Sequence, residues 1–157
     1  MHAKFFVLAA TLIAASCSRP AATTTAASAP PAAASFTVGE LADADAPIQG
    51  CSVMLSRVGA PSSAGDVFRA GGGDDKSVQG FIRIDGTLIT LGLVNASADE
   101  KGGVRTFADA QHTTQVVETL TAGAAHEESD SVEESGTLAV THNGAAQTLH
   151  VTGGTAC

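Results

Sequence analysis

The sequence has 157 residues, with 8 Lys+Arg against 16 Asp+Glu, three Cys, six Phe and neither Trp nor Tyr, which leaves room for one domain at most. A formal net charge of -8 supplies no cationic track for a phosphate backbone, and few flat rings are left on which bases could stack. Composition therefore argues against nucleic acid as a partner.

Lys4 gives a short positive start, and Phe5 to Ala15 is an apolar run that closes on the small residues Ala14, Ala15 and Ser16. This is the pattern of a signal peptide over residues 1–16. A spanning helix needs about 20 apolar residues, so the run is too short to stay as an anchor. Cys17 follows at once, and Leu12-Ile13-Ala14-Ala15-Ser16-Cys17 resembles the lipobox of bacterial lipoproteins, with Ala14 where that pattern has Leu. The resemblance implies lipidation of Cys17 as the mature N-terminus. With Ser18 rather than Asp next, it also implies a place in the outer membrane facing the periplasm. Each buried acyl CH2 contributes about 0.8 kcal/mol, so several chains together anchor durably. Loss of residues 1–16 removes Lys4 and no acid, which takes the net charge from -8 to -9. That charge opposes adsorption to anionic lipid and leaves the acyl chains as the membrane contact.

Residues 17–35 form the next segment. Arg19 to Ser35 reads RPAATTTAASAPPAAAS, without a large apolar side chain to offset the entropy of ordering a backbone. Pro20, Pro30 and Pro31 interrupt any Ala-driven helix. A disordered tether is expected.

Residues 36–157 are long enough for one core, and their grain is β. Gln79 to Val94 holds two β-branched or apolar runs around Asp85-Gly86, the signature of a hairpin with a two-residue turn. Ser52 to Val58, Val67 to Arg69, Val104 to Phe107 and Thr114 to Leu120 read as shorter strands. Phe107 to Gly123 also admits a helical reading, because Val116, Val117 and Leu120 lie at helix spacing. Gly136 to His142 and Gln147 to Val151 alternate apolar and polar residues around Asn143-Gly144, a second hairpin. Taking residues 143 to 146 as its loop sets His142 opposite Gln147 and His150 opposite Ala139. The predicted class is all-β, a small antiparallel sandwich or barrel.

With Cys17 assigned to lipid, Cys51 and Cys157 are expected to form a disulfide in an oxidising compartment. Closing a loop of about 100 residues stabilises by roughly 4.7 kcal/mol in the chain-entropy model. The bridge is structural on this reading, since a redox pair would show the two Cys close together.

No catalytic constellation stands out. Gly71 to Ser77 reads GGGDDKS, but Asp75 stands where a phosphate loop needs Gly before its Lys, and two carboxylates would repel a phosphate. Nucleotide binding is not expected, and the segment reads as a solvated turn. His112, His126, His142 and His150 lack zinc-site spacing, read as exposed strand residues, and leave metal and cofactor unassigned. The chain lacks a G-x-S-x-G elbow. Five carboxylates crowd the nine residues from His126 to Glu134: Glu127, Glu128, Asp130, Glu133 and Glu134. They form a solvated outer edge that would discourage edge-to-edge aggregation, an acidic docking face that focuses field toward a basic partner, or a calcium site built without EF-hand spacing.

Three readings of function follow. The first is a non-enzymatic cell-envelope lipoprotein, binding or structural at the periplasmic face, with an envelope or basic protein as partner. The second is inhibition of a lysozyme-like or other basic protein. Here the layout is similar to that of the membrane-bound inhibitors of c-type lysozyme, with a lipidated start, a small antiparallel barrel, one Cys near the first strand and another at the C-terminus. The inhibitory loop of that family and its Trp and Tyr residues have no counterpart, so no functional residue carries over. The third is an enzyme with a scattered active site. It would show a buried His or carboxylate in a concave pocket, a binding module a broad apolar or acidic patch, and a structural protein neither.

Overall fold

The computed structural model describes residues 35–157, apart from residues 62 and 100. The expected signal peptide, the Cys17 lipidation site and all of the expected tether except Ser35 lie outside the described residues. Nine strands run in chain order: β1 (Val38–Gly39), β2 (Ser52–Arg57), β3 (Phe68–Gly71), β4 (Gln79–Ile84), β5 (Thr87–Asp99), β6 (Gly102–Ala108), β7 (Thr114–His126), β8 (Ser131–His142) and β9 (Ala145–Ala156).

From β2 to β9 each strand pairs antiparallel with the next, and β9 returns to β2, from Ser52 opposite Ala156 to Arg57 opposite Val151. The result is an eight-stranded antiparallel closed barrel, with β1 added beside the end of β4. Closure leaves no free edge in the ring. The acidic run therefore does not lie on an outer strand, because β8 is paired on both sides, to β7 and to β9.

Alternation along the strands explains the closure. In β4 the inward set is Gly80, Ile82 and Ile84; in β7 it is Thr114, Val116, Glu118 and Leu120, all buried. Apolar side chains point in and polar ones largely out, the reverse of a membrane-spanning barrel. The segment with the helical alternative is strand: Val117 lies on the opposite face to Val116 and Leu120 and pairs with Ala139.

Both expected hairpins are present, the first with its expected two-residue turn and the second with a turn tighter than the expected loop. Asp85 and Gly86 have φ of 49° and 79°, and Asn143 and Gly144 have φ of 49° and 83°, the left-handed pair that a two-residue turn between twisted strands requires. The second loop is thus Asn143-Gly144 alone. His142 faces Ala145 and His150 faces Thr137, a shift from the expected register because Ala145 and Ala146 continue the ladder.

The two ends of the barrel differ. At one end Phe36, Val38 and Ile84 close the interior; Thr37 N–H donates to Asp85 Oδ1 (2.8 Å), and the Phe36 ring meets His142 edge-on at 5.7 Å. The described chain enters here. It then runs as a strap outside the barrel, where Leu41, Ala46 and Ile48 cover the outward ring of Phe81, and Arg83 binds Asp45 at 2.6 Å. The strap delivers Cys51 to the opposite end, and Cys51 is bonded to Cys157 there (Cα–Cα 3.9 Å). Midway along the interior, Phe68 and Phe107, both fully buried, meet edge to face with centroids 5.4 Å apart. Gly80 makes room for them, since a Cβ on it would stand 2.9 Å from Phe68 Cζ and 3.1 Å from Phe107 Cδ1.

Gly80→Ala should therefore destabilise the barrel by about 1–3 kcal/mol through overpacking, read as a lowered urea midpoint with unchanged slope. Removing the disulfide as Cys51→Ser with Cys157→Ser should cost about 2–5 kcal/mol in the same measurement.

Candidate functional site: the open barrel mouth

Above the aromatic layer the interior is not filled. A cavity of about 470 Å3 opens at the end that carries the β3–β4, β5–β6 and β7–β8 connections and the disulfide. Its walls are small or apolar, with Val53, Ala96, Ala98, Leu120, Ala122 and Val132 contributing. Two bulges aim them. An extra residue between Leu93 and Asn95 resets the alternation of β5 so that Ala96 and Ala98 face the cavity, and another irregularity between Ala122 and Ala125 bends β7 at the rim.

The floor is an ion pair. Arg105 in β6 and Glu118 in β7 are directly opposite in register and both point inward, at 9% and 2% exposure. The guanidinium grips the carboxylate by two hydrogen bonds, Nε to Oε1 at 2.7 Å and Nη2 to Oε2 at 3.1 Å, the planar match that Arg makes with a carboxylate. Nη1 donates to the carbonyls of Gly71 (2.9 Å) and Gly73 (3.3 Å). The exposed GGGDDKS loop is thus held to the barrel by Arg105. The guanidinium carbon also lies 5.2 Å from the centroid of the Phe107 ring, so the pair rests on the aromatic layer.

Burial raises the Glu118 carboxyl above its ordinary pKa; the Arg105 hydrogen bonds and charge pull it down, and the Glu134 charge pushes it up again, with a net rise. Glu134 itself lines the cavity and accepts from Thr155 Oγ1 at 2.8 Å. Asp74 and Asp99 complete the charged lining.

The residues singled out in the sequence divide by place. Glu127, Glu128, Asp130 and Glu133 are exposed on the β7–β8 connection and its flank, and His126 Nε2 lies 3.0 Å from Glu133 Oε1. Glu134 turns into the mouth instead. His142 is half-buried rather than exposed, with Nδ1 2.8 Å from Thr114 Oγ1 and Nε2 3.0 Å from Asn143 Nδ2. His150 is exposed on the outer face. Among the described residues no group of three or more His, Cys, Asp and Glu is placed to hold a metal ion.

Arg105 and Glu118 were not among the expected site residues. Parity carries part of the signal: Val116 and Leu120 bracket Glu118 on one face of β7, while Val104 and Phe107 lie on opposite faces of β6 and leave the side of Arg105 open. No protein-family model, curated protein or solved structure matches this chain.

Breaking the pair by Arg105→Met or Glu118→Met alone should cost about 3–5 kcal/mol, because each leaves a buried polar group without its partner, while the double variant should recover most of that loss. The raised Glu118 carboxyl adds a pH signature. The stability it contributes is full below its unfolded pKa and is lost as pH rises through the folded value. Urea unfolding across that window should show the decline in the parent chain and lose that component in the double variant.

Proposed function

We propose that this protein is a non-catalytic binding module of the cell envelope, a β-barrel whose open mouth takes up a small apolar or amphipathic molecule. The observation that carries the reading is the cavity of about 470 Å3, apolar-walled and floored by the Arg105–Glu118 pair. Small-molecule sites have this composition, with apolar walls and a few convergent polar groups.

In this proposal residues 1–16 export the chain, Cys17 carries acyl chains in the outer membrane, and residues 17–35 tether the barrel on the periplasmic side. The described chain enters at the closed end of the barrel, where Phe36 packs and Thr37 binds Asp85.

A second reading has a specific observation in its favour. A buried carboxylate in a concave pocket is the feature an enzyme would present, and Glu118 is one. Both its oxygens are engaged by Arg105, however, and among the described residues no His or Cys lines the cavity. The carboxylate is therefore held as a structural counter-ion rather than presented to a substrate. Inhibition of a basic protein draws on the exposed Glu127, Glu128, Asp130 and Glu133 at the mouth end.

The test pairs the parent chain with Ala98→Phe and Ala122→Phe, which fill the mouth from its rim. An environment-sensitive apolar dye should bind the parent with saturation, and each variant should lose at least about tenfold in affinity while keeping its urea midpoint. Equal binding by all three would place the dye elsewhere and remove the support for a mouth site. Saturable turnover in a hydrolase screen, lost with Glu118→Gln, would replace the binding reading with the enzymatic one.

A further inference from the structure

The geometry points to a cationic amphiphile as the ligand of the barrel mouth: an apolar body that fills the cavity, carrying an ammonium or guanidinium group that remains among the carboxylates of its rim. The inference rests on the binding reading above and specifies its ligand class.

The walls select the body. Val53, Leu120 and Val132 with Ala96, Ala98 and Ala122 offer no side-chain hydrogen-bonding group, so the inner part of the ligand gains by leaving water and has little to bond with. The charges select the head. Among the described residues four carboxylates line the cavity, Asp74, Asp99, Glu118 and Glu134, against one cation, Arg105. Glu118 takes Arg105 in a two-point grip, which leaves Asp74, Asp99 and Glu134 without a cation among the lining residues.

Lys76 and Lys101 stand on the same two connections but do not line the cavity. With them counted, Asp74-Asp75-Lys76 and Asp99-Glu100-Lys101 each remain negative by one charge. The exposed Glu127, Glu128 and Asp130 add the same sign at the same end. An anionic head would face this field, and the one guanidinium able to receive it already serves Glu118 and the carbonyls of Gly71 and Gly73. A cationic head meets the exposed carboxylates of Asp74 and Asp99 and the half-buried one of Glu134, and beside a protein surface such attraction is stronger than in bulk water.

The experiment titrates the mature chain, residues 17–157 with Cys17→Ala, with three probes that share one alkyl chain: decyltrimethylammonium, decanol and decanoate, each below its micelle concentration. The ammonium probe should bind at least about tenfold more tightly than the other two. Added salt should narrow the gap, since the rim is exposed. Asp99→Asn with Glu134→Gln should bring the ammonium probe toward decanol while leaving decanol unchanged.

Decanol or decanoate binding as well as or better than the ammonium probe would overturn the cationic assignment and leave the cavity reading standing. No saturable binding by any probe would overturn both. Binding of a basic protein such as a lysozyme, with none of the three amphiphiles bound, would also overturn the assignment and shift the function to the acidic rim.

Discussion

The interior of this barrel is organised by one charged pair laid on one aromatic ring. Arg105 rests against the face of Phe107 and holds Glu118 across the β6–β7 ladder. Below that level the eight strands enclose Phe68, Leu55, Leu91, Leu138, Val116 and Val151, all fully buried. Above it the inward positions turn small, and the space stays open. Such a pair gives little net stability, because removing two charges from water costs about what their attraction returns. Its effect is positional: one guanidinium joins β6, β7 and the loop after β3, so the floor and one side of the rim share a single side chain.

The all-β class, the Asp85-Gly86 and Asn143-Gly144 turns and the Cys51–Cys157 bridge were legible in the sequence because each has a local or arithmetical signature. Turn residues with positive φ announce themselves, and reading Cys17 as a lipid site leaves Cys51 and Cys157 as the one possible pair. Strand length was harder to read. β7 continues to His126 and β8 starts at Ser131, well beyond the apolar alternation, since their outer halves run through Ala, Gly and Glu. Those residues have low β-propensity of their own; the start of β8 is held by both β7 and β9, and β7 beyond Ala122 by β8 alone.

The site was obscured for a related reason. A buried ion pair looks in the sequence like any Arg and Glu on two strands. Val104 and Phe107 are both apolar and lie on opposite faces, so the segment Val104 to Phe107 does not declare which parity is inside. Only the pairing of Arg105 with Glu118 resolves it. The cavity is a second case. It exists because Ala and Gly occupy inward positions near the mouth, and an unfilled volume has no motif. The acidic run was read as one face, whereas bulging and alternation separate Glu134 from Glu133 and give them different neighbours.

The disulfide changes how this molecule would carry a mechanical load. β2 and β9 meet at the seam of the barrel, and the bond between Cys51 and Cys157 makes the ring of strands between them a closed covalent loop, with the segment before Cys51 as its N-terminal tail. Tension drawn through that tail acts first on Phe36, β1 and the strap over Phe81, which can peel from the outer surface in sequence. At Cys51 the pull reaches a junction where the chain divides into two covalent arms, one into β2 and one across the sulfurs into β9. Force is then shared between both sides of the seam, and the strands cannot be unzipped one after another from a free end. While that bond is intact, a pull on the tail strips the strap before it can open the barrel.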